Sequence, residues 1–216
     1  MSNRVPEPPD LDPDAPLESV SGRGLVDRTV LEHVELVEPI GIVRNASVSM
    51  SRIAGAALKD ATLPGLRVID SRFVGADCSG ATCVDARLIR CVIESCKCVG
   101  FDTRGATLRD VRFHECKMPD AFMHESTLDR VWFEACNLDG LDLSGSMLDR
   151  VTIRGCEARG LRLLNTRISL LDLRGSRIDH LAIDPGSVRH LIIDPVQAPA
   201  LTESLGARVV DQHEDI

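Results

Sequence analysis

Residues 136–145 read CNLDGLDLSG: Cys136-Asn137-Leu138-Asp139-Gly140 followed by Leu141-Asp142-Leu143-Ser144-Gly145. The third residue of each pentad is Leu and the fifth is Gly. Stepping outward by fives from Leu138 meets Phe133, Leu128 and Met123 on one side and Leu143, Leu148 and Ile153 on the other. The series runs from Val43 to Ile193, 31 positions without a slip in phase, of which 30 are apolar and the exception is Thr103. A helix repeats every 3.6 residues and a strand every 2, so neither gives a strict period of five.

The other positions of the pentad have their own chemistry. Two residues before the centre the side chain is usually small or aliphatic, as at Ala76, Ala81, Cys91, Cys96 and Ala106. Two residues after it lie eleven of the sixteen glycines. Gly there suits the third position of a type II turn, where φ is positive. Each pentad is therefore a very short strand and a tight turn, with the centre and the minus-two residue on one face. Both should point inward along the whole series. Around Thr103 the minus-two residue is Phe101, so large and small exchange places and volume is kept. From Val131 onward the minus-two residues alternate large and small, which predicts aliphatic ladders on two opposite walls and small-residue ladders on the other two.

This pattern resembles the pentapeptide repeat family, A-(D/N)-L-x-x, over residues 43–193, about 70% of the chain. The resemblance implies an all-β fold, a right-handed quadrilateral β-helix with four pentads, twenty residues, per coil. The sequence departs from the family at the second position, where Arg or Lys often replaces Asp or Asn (Arg67, Arg72, Arg87, Lys97, Arg112, Lys117). At ~4.8 Å per coil the rod would be roughly 36 Å long.

A solenoid needs both ends covered. Residues 1–24 hold five of the eleven prolines among Asp10, Asp12 and Asp14 and read as a disordered tail. Residues 25–42 lose the pentad phase and read as an N-terminal cap, helical or an irregular first coil. Residues 194–216 read as a C-terminal cap, a short helix ending at Gly206 and a strand at 207–210, followed by an acidic tail. Leu201, Leu205 and Val209 are the apolar contacts expected of that cap and the candidate homodimer contact if exposed together.

The net charge of −8 is unevenly placed: −6 in residues 1–42, +2 in 43–193 and −4 in 194–216. The eight cysteines all fall in inward phases, and Cys96, Cys116, Cys136 and Cys156 stack at intervals of twenty. A linear ladder at ~4.8 Å is not a tetrahedral metal site, so the thiols read as reduced core residues in a cytoplasmic protein. The six histidines do not converge. No phosphate loop, nucleophile elbow or dinucleotide fingerprint is present, and a filled solenoid has no pocket, so neither catalysis nor a cofactor or metal is expected. No apolar run reaches the ~18 residues of a membrane span, and with 3% aromatics direct nucleic-acid binding is not expected.

Residues twenty apart should be neighbours on adjacent coils. Asp70, Arg90, Asp110 and Arg130 then alternate in sign along one edge, and Glu134, Asp139, Asp142 and Glu157 face Arg154, Arg159, Arg162 and Arg177. The block Asp120, Glu125, Asp129, Glu134, Asp139, Asp142 and Asp149 precedes seven arginines in 150–177 and is the candidate interaction surface. The expected function is a non-enzymatic scaffold or protein-interaction module whose partner is unspecified. The alternative, implied by the family resemblance, is a DNA mimic that binds DNA gyrase and confers quinolone resistance. The balanced charge of the body weighs against it, because such a mimic must replace a dense row of phosphates.

Overall fold

The computed structural model describes residues 5–10, 16–21, 25–36, 40–55 and 58–209. It is a parallel β-solenoid of about eight coils closed by a short helix. The strands are β1 (Glu18–Val20), β2 (Val30–Glu32), β3 (Val34–Leu36), β4 (Ser47–Ser49), β5 (Arg52–Ala54), β6 (Arg67–Ile69) and β7 (Arg72–Val74). Three longer ones follow: β8 (Arg87–Glu94), β9 (Thr107–His114) and β10 (Thr127–Glu134). Short strands complete the rod: β11 (Met147–Asp149), β12 (Val151–Arg154), β13 (Arg162–Leu163), β14 (Arg167–Ile168), β15 (Leu171–Asp172), β16 (Ala182–Ile183) and β17 (Leu191–Ile192).

From β4 onward the register is twenty residues. Val48, Val68, Leu88, Leu108, Leu128, Leu148 and Ile168 form one ladder. Ile53, Phe73, Ile93, Phe113, Phe133 and Ile153 form the next. The four walls are named here by the centres of one coil: Leu108, Phe113, Met118 and Met123. The walls differ. The Leu108 and Phe113 walls carry most of the strands, and β8, β9 and β10 run unbroken round the corner between them. The Met118 wall is held by single bridges such as Lys97–Lys117–Asn137. So is most of the Met123 wall, where β13 and β16 pair only at the end.

The inward phase is observed. Twenty-nine of the 31 centres are buried, and only Val188 and Ile193, in the last coil, are half-exposed. Phe101 and Thr103 are both buried. Phe113 and Phe133 stack at 4.7 Å between centroids. The minus-two walls alternate as expected. Val131, Val151 and Leu171 stand opposite Leu141, Leu161 and Leu181, while Cys136, Cys156, Ser146 and Thr166 line the other two walls, all buried.

Corner geometry is equally regular. Of the 28 positions from Asn45 to His180 that follow each centre by two, 27 have φ between 47° and 74°; Leu170 is the exception. Sixteen of these carry a side chain, and none is β-branched. That follows from sterics, since the left-handed region is least accessible to branched residues.

The solenoid begins earlier than the pentad phase. β2 and β3 pair with β4 and β5 at an offset of seventeen, Leu31 to Val48 and Leu36 to Ile53. β1 pairs with β3 at an offset of sixteen. Residues 25–36 are thus an irregular coil rather than a helix. Glu18–Val20, inside the stretch expected to be disordered, is a strand, and Val5–Asp10 lie against the body. Residues 16, 17 and 21 flank that strand, and residues 1–4, 11–15 and 22–24 of the tail lie outside the described residues.

At the other end a turn at Pro195–Gln197 leads into α1 (Ala198–Ser204), with Gly206 at φ 89° after it. The buried Gln197 plugs the last coil: its Nε2 donates to the carbonyls of Leu173 (2.7 Å) and Ser176 (2.6 Å), and its Oε1 accepts the Asp194 N–H (2.8 Å). Ala207–Val209 form no strand, in contrast to the sequence expectation, and residues 210–216 lie outside the described residues.

Candidate interaction surface

Side chains on either side of each centre point outward, and those at the corners project between walls. The seven acids of the candidate surface are therefore dispersed. Asp129 and Asp149 lie on the Leu108 wall, Glu134 on the Phe113 wall, Asp139 on the Met118 wall and Asp142 on the Met123 wall; Asp120 and Glu125 sit at corners. The Asp120 N–H meets the Asp139 carbonyl one coil on (2.8 Å), and Asp129 and Asp149 stand side by side, in register between β10 and β11. They border an open groove of about 560 Å³ that also touches Met147, Arg167, Arg189 and His190.

Most of the block is neutralised. Asp129 is shared by Arg130 (2.8 Å), Arg150 (2.8 Å) and Arg109 (3.5 Å). Asp149 meets Arg150 at 2.5 Å, Asp139 meets Arg159 at 3.0 Å and Asp142 meets Arg162 at 3.8 Å. Glu157 and Arg177 pair at 3.5 Å. One expected pair is exchanged. Glu134 is in register with Arg154, yet it bonds Arg112 (2.5 Å), and Arg154 turns to Asp172 (3.2 Å). Asp172 is almost fully buried and also takes a fork from Arg174, 2.9 and 2.7 Å. Burial pushes its pKa up, but the Arg174 hydrogen bonds and charge prevail and hold it below the usual carboxylate range.

The corner between the Leu108 and Phe113 walls is unlike the other three. Its residues are Met50, Asp70, Arg90, Asp110, Arg130, Arg150 and Leu170, with no glycine, whereas the other corners share all eleven corner glycines. Each except Leu170 holds φ between 47° and 55°. Asp70 and Asp110 are the only buried residues of the corner phase among those described, at 8% and 3% exposure. Arg90 grips Asp70 with two bonds (2.7 and 2.5 Å), and Arg130 grips Asp110 likewise (both 2.6 Å). The alternating edge thus resolves into two bidentate pairs. Each aspartate also accepts a backbone N–H from the N-terminal segment, Asp70 from Asp10 (3.1 Å) and Asp110 from Glu7 (3.3 Å). Pro6 is buried there. The sequence pattern places these four charges along one edge but not the N-terminal segment against them, although the missing glycines at residues 50, 70, 90, 110, 130 and 150 set this corner apart.

The cysteine stack proves to be a hydrogen-bonded ladder. The N–H groups of Cys116 and Cys136 donate to the Sγ atoms of Cys136 (3.4 Å) and Cys156 (3.3 Å), one coil on, and the Cys156 N–H donates to Ser176 Oγ (3.0 Å). Ser126 and Ser146 do the same on the Leu108 wall (3.0 Å). All eight thiols are buried and unpaired, and burial pushes Cys91 up to about 12. Among the described residues no group of three or more His, Cys, Asp or Glu is disposed to hold a metal, and no helix is long and apolar enough to cross a membrane. Of the candidate dimer contacts, Leu201 packs on the core, while Leu205 and Val209 are exposed at 42% and 46%.

Residues 66–143 match the family described as "Pentapeptide repeat region". Among solved structures, the chain is similar to full-length QnrB1, a plasmid-mediated fluoroquinolone resistance protein, at 15% identity and a TM-score of 0.34, over 88% of this chain and 100% of that one. It is similar to HetL, a pentapeptide repeat protein involved in heterocyst differentiation regulation from the cyanobacterium Nostoc sp. strain PCC 7120, at 15% identity and a TM-score of 0.25, over 72% of this chain and 85% of that one. No curated protein matches the chain.

Proposed function

We propose that this pentapeptide repeat protein is a rigid, non-enzymatic scaffold that presents side chains from its walls and corners to a protein partner. The observation that carries the reading is the filled interior. Centres and minus-two residues close the core from Leu36 to Ile183, so recognition is left to the outward positions. The eight buried unpaired thiols suit a reducing compartment, and the proposal places the protein in a cytoplasm.

The dispersal of the seven acids over four walls and two corners, five of them held by arginines, supports a protein partner over a phosphate-like face for DNA gyrase. The test is retention of host proteins by the intact chain and by four variants, each with the outward charges of one wall reversed and the fold checked by circular dichroism. A protein retained by the intact chain and lost with one wall is the expected result. No retained protein, or retention indifferent to all four walls, would overturn the reading. So would inhibition or protection of gyrase in a supercoiling assay with a fluoroquinolone that is lost in the Asp129→Asn, Asp149→Asn variant.

A further inference from the structure

We propose that the glycine-free corner is a docking groove for an extended, proline-rich acidic segment, occupied in cis by residues 5–10 and open to a partner protein that carries such a segment. The inference rests on the scaffold reading and names the surface and the chemistry of its partner.

Three observations converge. The first is spacing. Asp70 and Asp110 are two coils apart, ~9.6 Å at ~4.8 Å per coil. Glu7 and Asp10, whose N–H groups they accept, are three residues apart, ~9.3 Å at the ~3.1 Å rise of polyproline II. A proline-rich strand and the rod axis therefore share a repeat, and an extended chain can lie along the corner without bending.

The second is donor chemistry. In Glu7-Pro8-Pro9-Asp10 only the outer two residues have a backbone N–H. Those two are met by the two aspartates. Pro8 and Pro9 have no donor to satisfy, and between the aspartates the corner presents Arg90, which accepts nothing. Glu7 and Asp10 bring negative charge to Arg90, and Glu7 also to Arg130.

The third is strain. At the other corners glycine occurs freely, and it adopts the left-handed region without penalty. Here six successive positions hold left-handed conformations with full side chains, four of them forming the two ion pairs that carry the segment. Ten side-chain-bearing residues hold the same conformation at the other three corners, but each of those corners also uses glycine and this one never does, which marks its side chains as required.

The resident segment thus specifies what fits: two N–H donors three residues apart, prolines between them, and acidic side chains beside the arginines. Because the resident copy is tethered, its effective concentration is of order millimolar, so a free competitor binds the intact chain weakly and binds strongly once the resident is weakened.

The experiment uses the full chain. Amide exchange followed by NMR should show Glu7 and Asp10 protected at least ~10-fold relative to a free peptide of residues 3–12, NRVPEPPDLD. The same labelled peptide, titrated by fluorescence polarisation, should bind the Glu7→Lys, Asp10→Lys full-length variant at least ~10-fold more tightly than the wild-type chain. These substitutions lie in the segment and leave the solenoid intact. A peptide with the same two Lys substitutions should lose that binding. Free-peptide exchange rates at Glu7 and Asp10 would overturn the cis contact. Absence of binding to the variant, or binding indifferent to the peptide's charge, would overturn the partner site. Wall-dependent capture of a host protein together with either negative result would retain the scaffold reading and discard this groove.

Discussion

Thr103 is the one polar residue among the 31 centres, and it is buried with its Oγ1 unpartnered. A buried hydroxyl without a partner carries a desolvation penalty of ~1–3 kcal/mol. Thr103→Val keeps the shape and removes the hydroxyl, so the variant should be more stable by ~1 kcal/mol, read as a higher denaturant midpoint at unchanged slope. An unchanged or lower midpoint would mean that the hydroxyl finds a partner. The corners allow a sharper comparison. Gly75 and Gly80 both have positive φ, but a methyl at Gly75 meets open space, whereas one at Gly80 meets the Asp60 carboxylate of the preceding coil. Gly75→Ala should cost about 1 kcal/mol for the backbone alone. Gly80→Ala should cost about 1 kcal/mol more, since Asp60 must leave its rotamer, and Asp60→Ala should remove that excess in a double-mutant cycle. Equal costs at the two glycines would show that Asp60 yields freely. The phase that places all these residues was legible in the sequence. The hydrogen bonds of the small ladders were not, because a period shows that Cys136 points inward but not that its sulfur accepts an N–H from the coil before.

Where a coil changes length, the pentad pattern ends before the solenoid does. β2 and β3 continue the solenoid at an offset of seventeen, and dropping three residues destroys a five-residue phase while leaving backbone pairing intact. Strand pairing needs only N–H and C=O groups in line, so the solenoid extends further than its pattern. The candidate acidic residues disperse for a related reason: neighbours in sequence turn through four walls within twenty residues, and a block of charge in the chain is not a patch on the rod. A short helix closes the C-terminal end, but the working part of the cap is the residue before it. Gln197→Leu removes two donors and one acceptor and strands the carbonyl of Ser176, while that of Leu173 keeps the Ser176 N–H (3.2 Å). The expected cost is about 2–3 kcal/mol. In a solenoid each coil contacts only its neighbours, so the damage should be local. Hydrogen exchange should quicken in residues 171–184 and stay unchanged in β9 and β10. Faster exchange spread evenly along the rod, or no change, would reject Gln197 as the plug.

For the whole molecule, charge makes a prediction that depends on where the carboxylates sit. The excess negative charge lies at the two ends of the sequence, and the body is nearly balanced. At physiological salt the Debye length is ~8 Å, so repulsion beyond that distance is screened, and Glu7 and Asp10 lie along the body with Arg90 to offset them. Acid should therefore act through the paired aspartates of the body. Asp70 is held below its ordinary value by the Arg90 hydrogen bonds. In Asp110 and Asp139 burial pushes upward, but Arg130 and Arg159 prevail, as Arg174 does at Asp172. Where the folded pKa lies below the unfolded value of ~3.9, the stabilisation is complete above that value and is lost as pH falls through the folded pKa. The thermal midpoint should stay level from pH 7 to about pH 5 and fall steeply below about pH 4. Asp172→Asn should lower the midpoint at pH 7 and make the acid slope shallower, because one of the groups that must be protonated is gone. A midpoint that already declines between pH 7 and pH 5 would mean that the governing carboxylates are raised rather than depressed, and that the arginine pairs along the rod do not outweigh the burial of their partners.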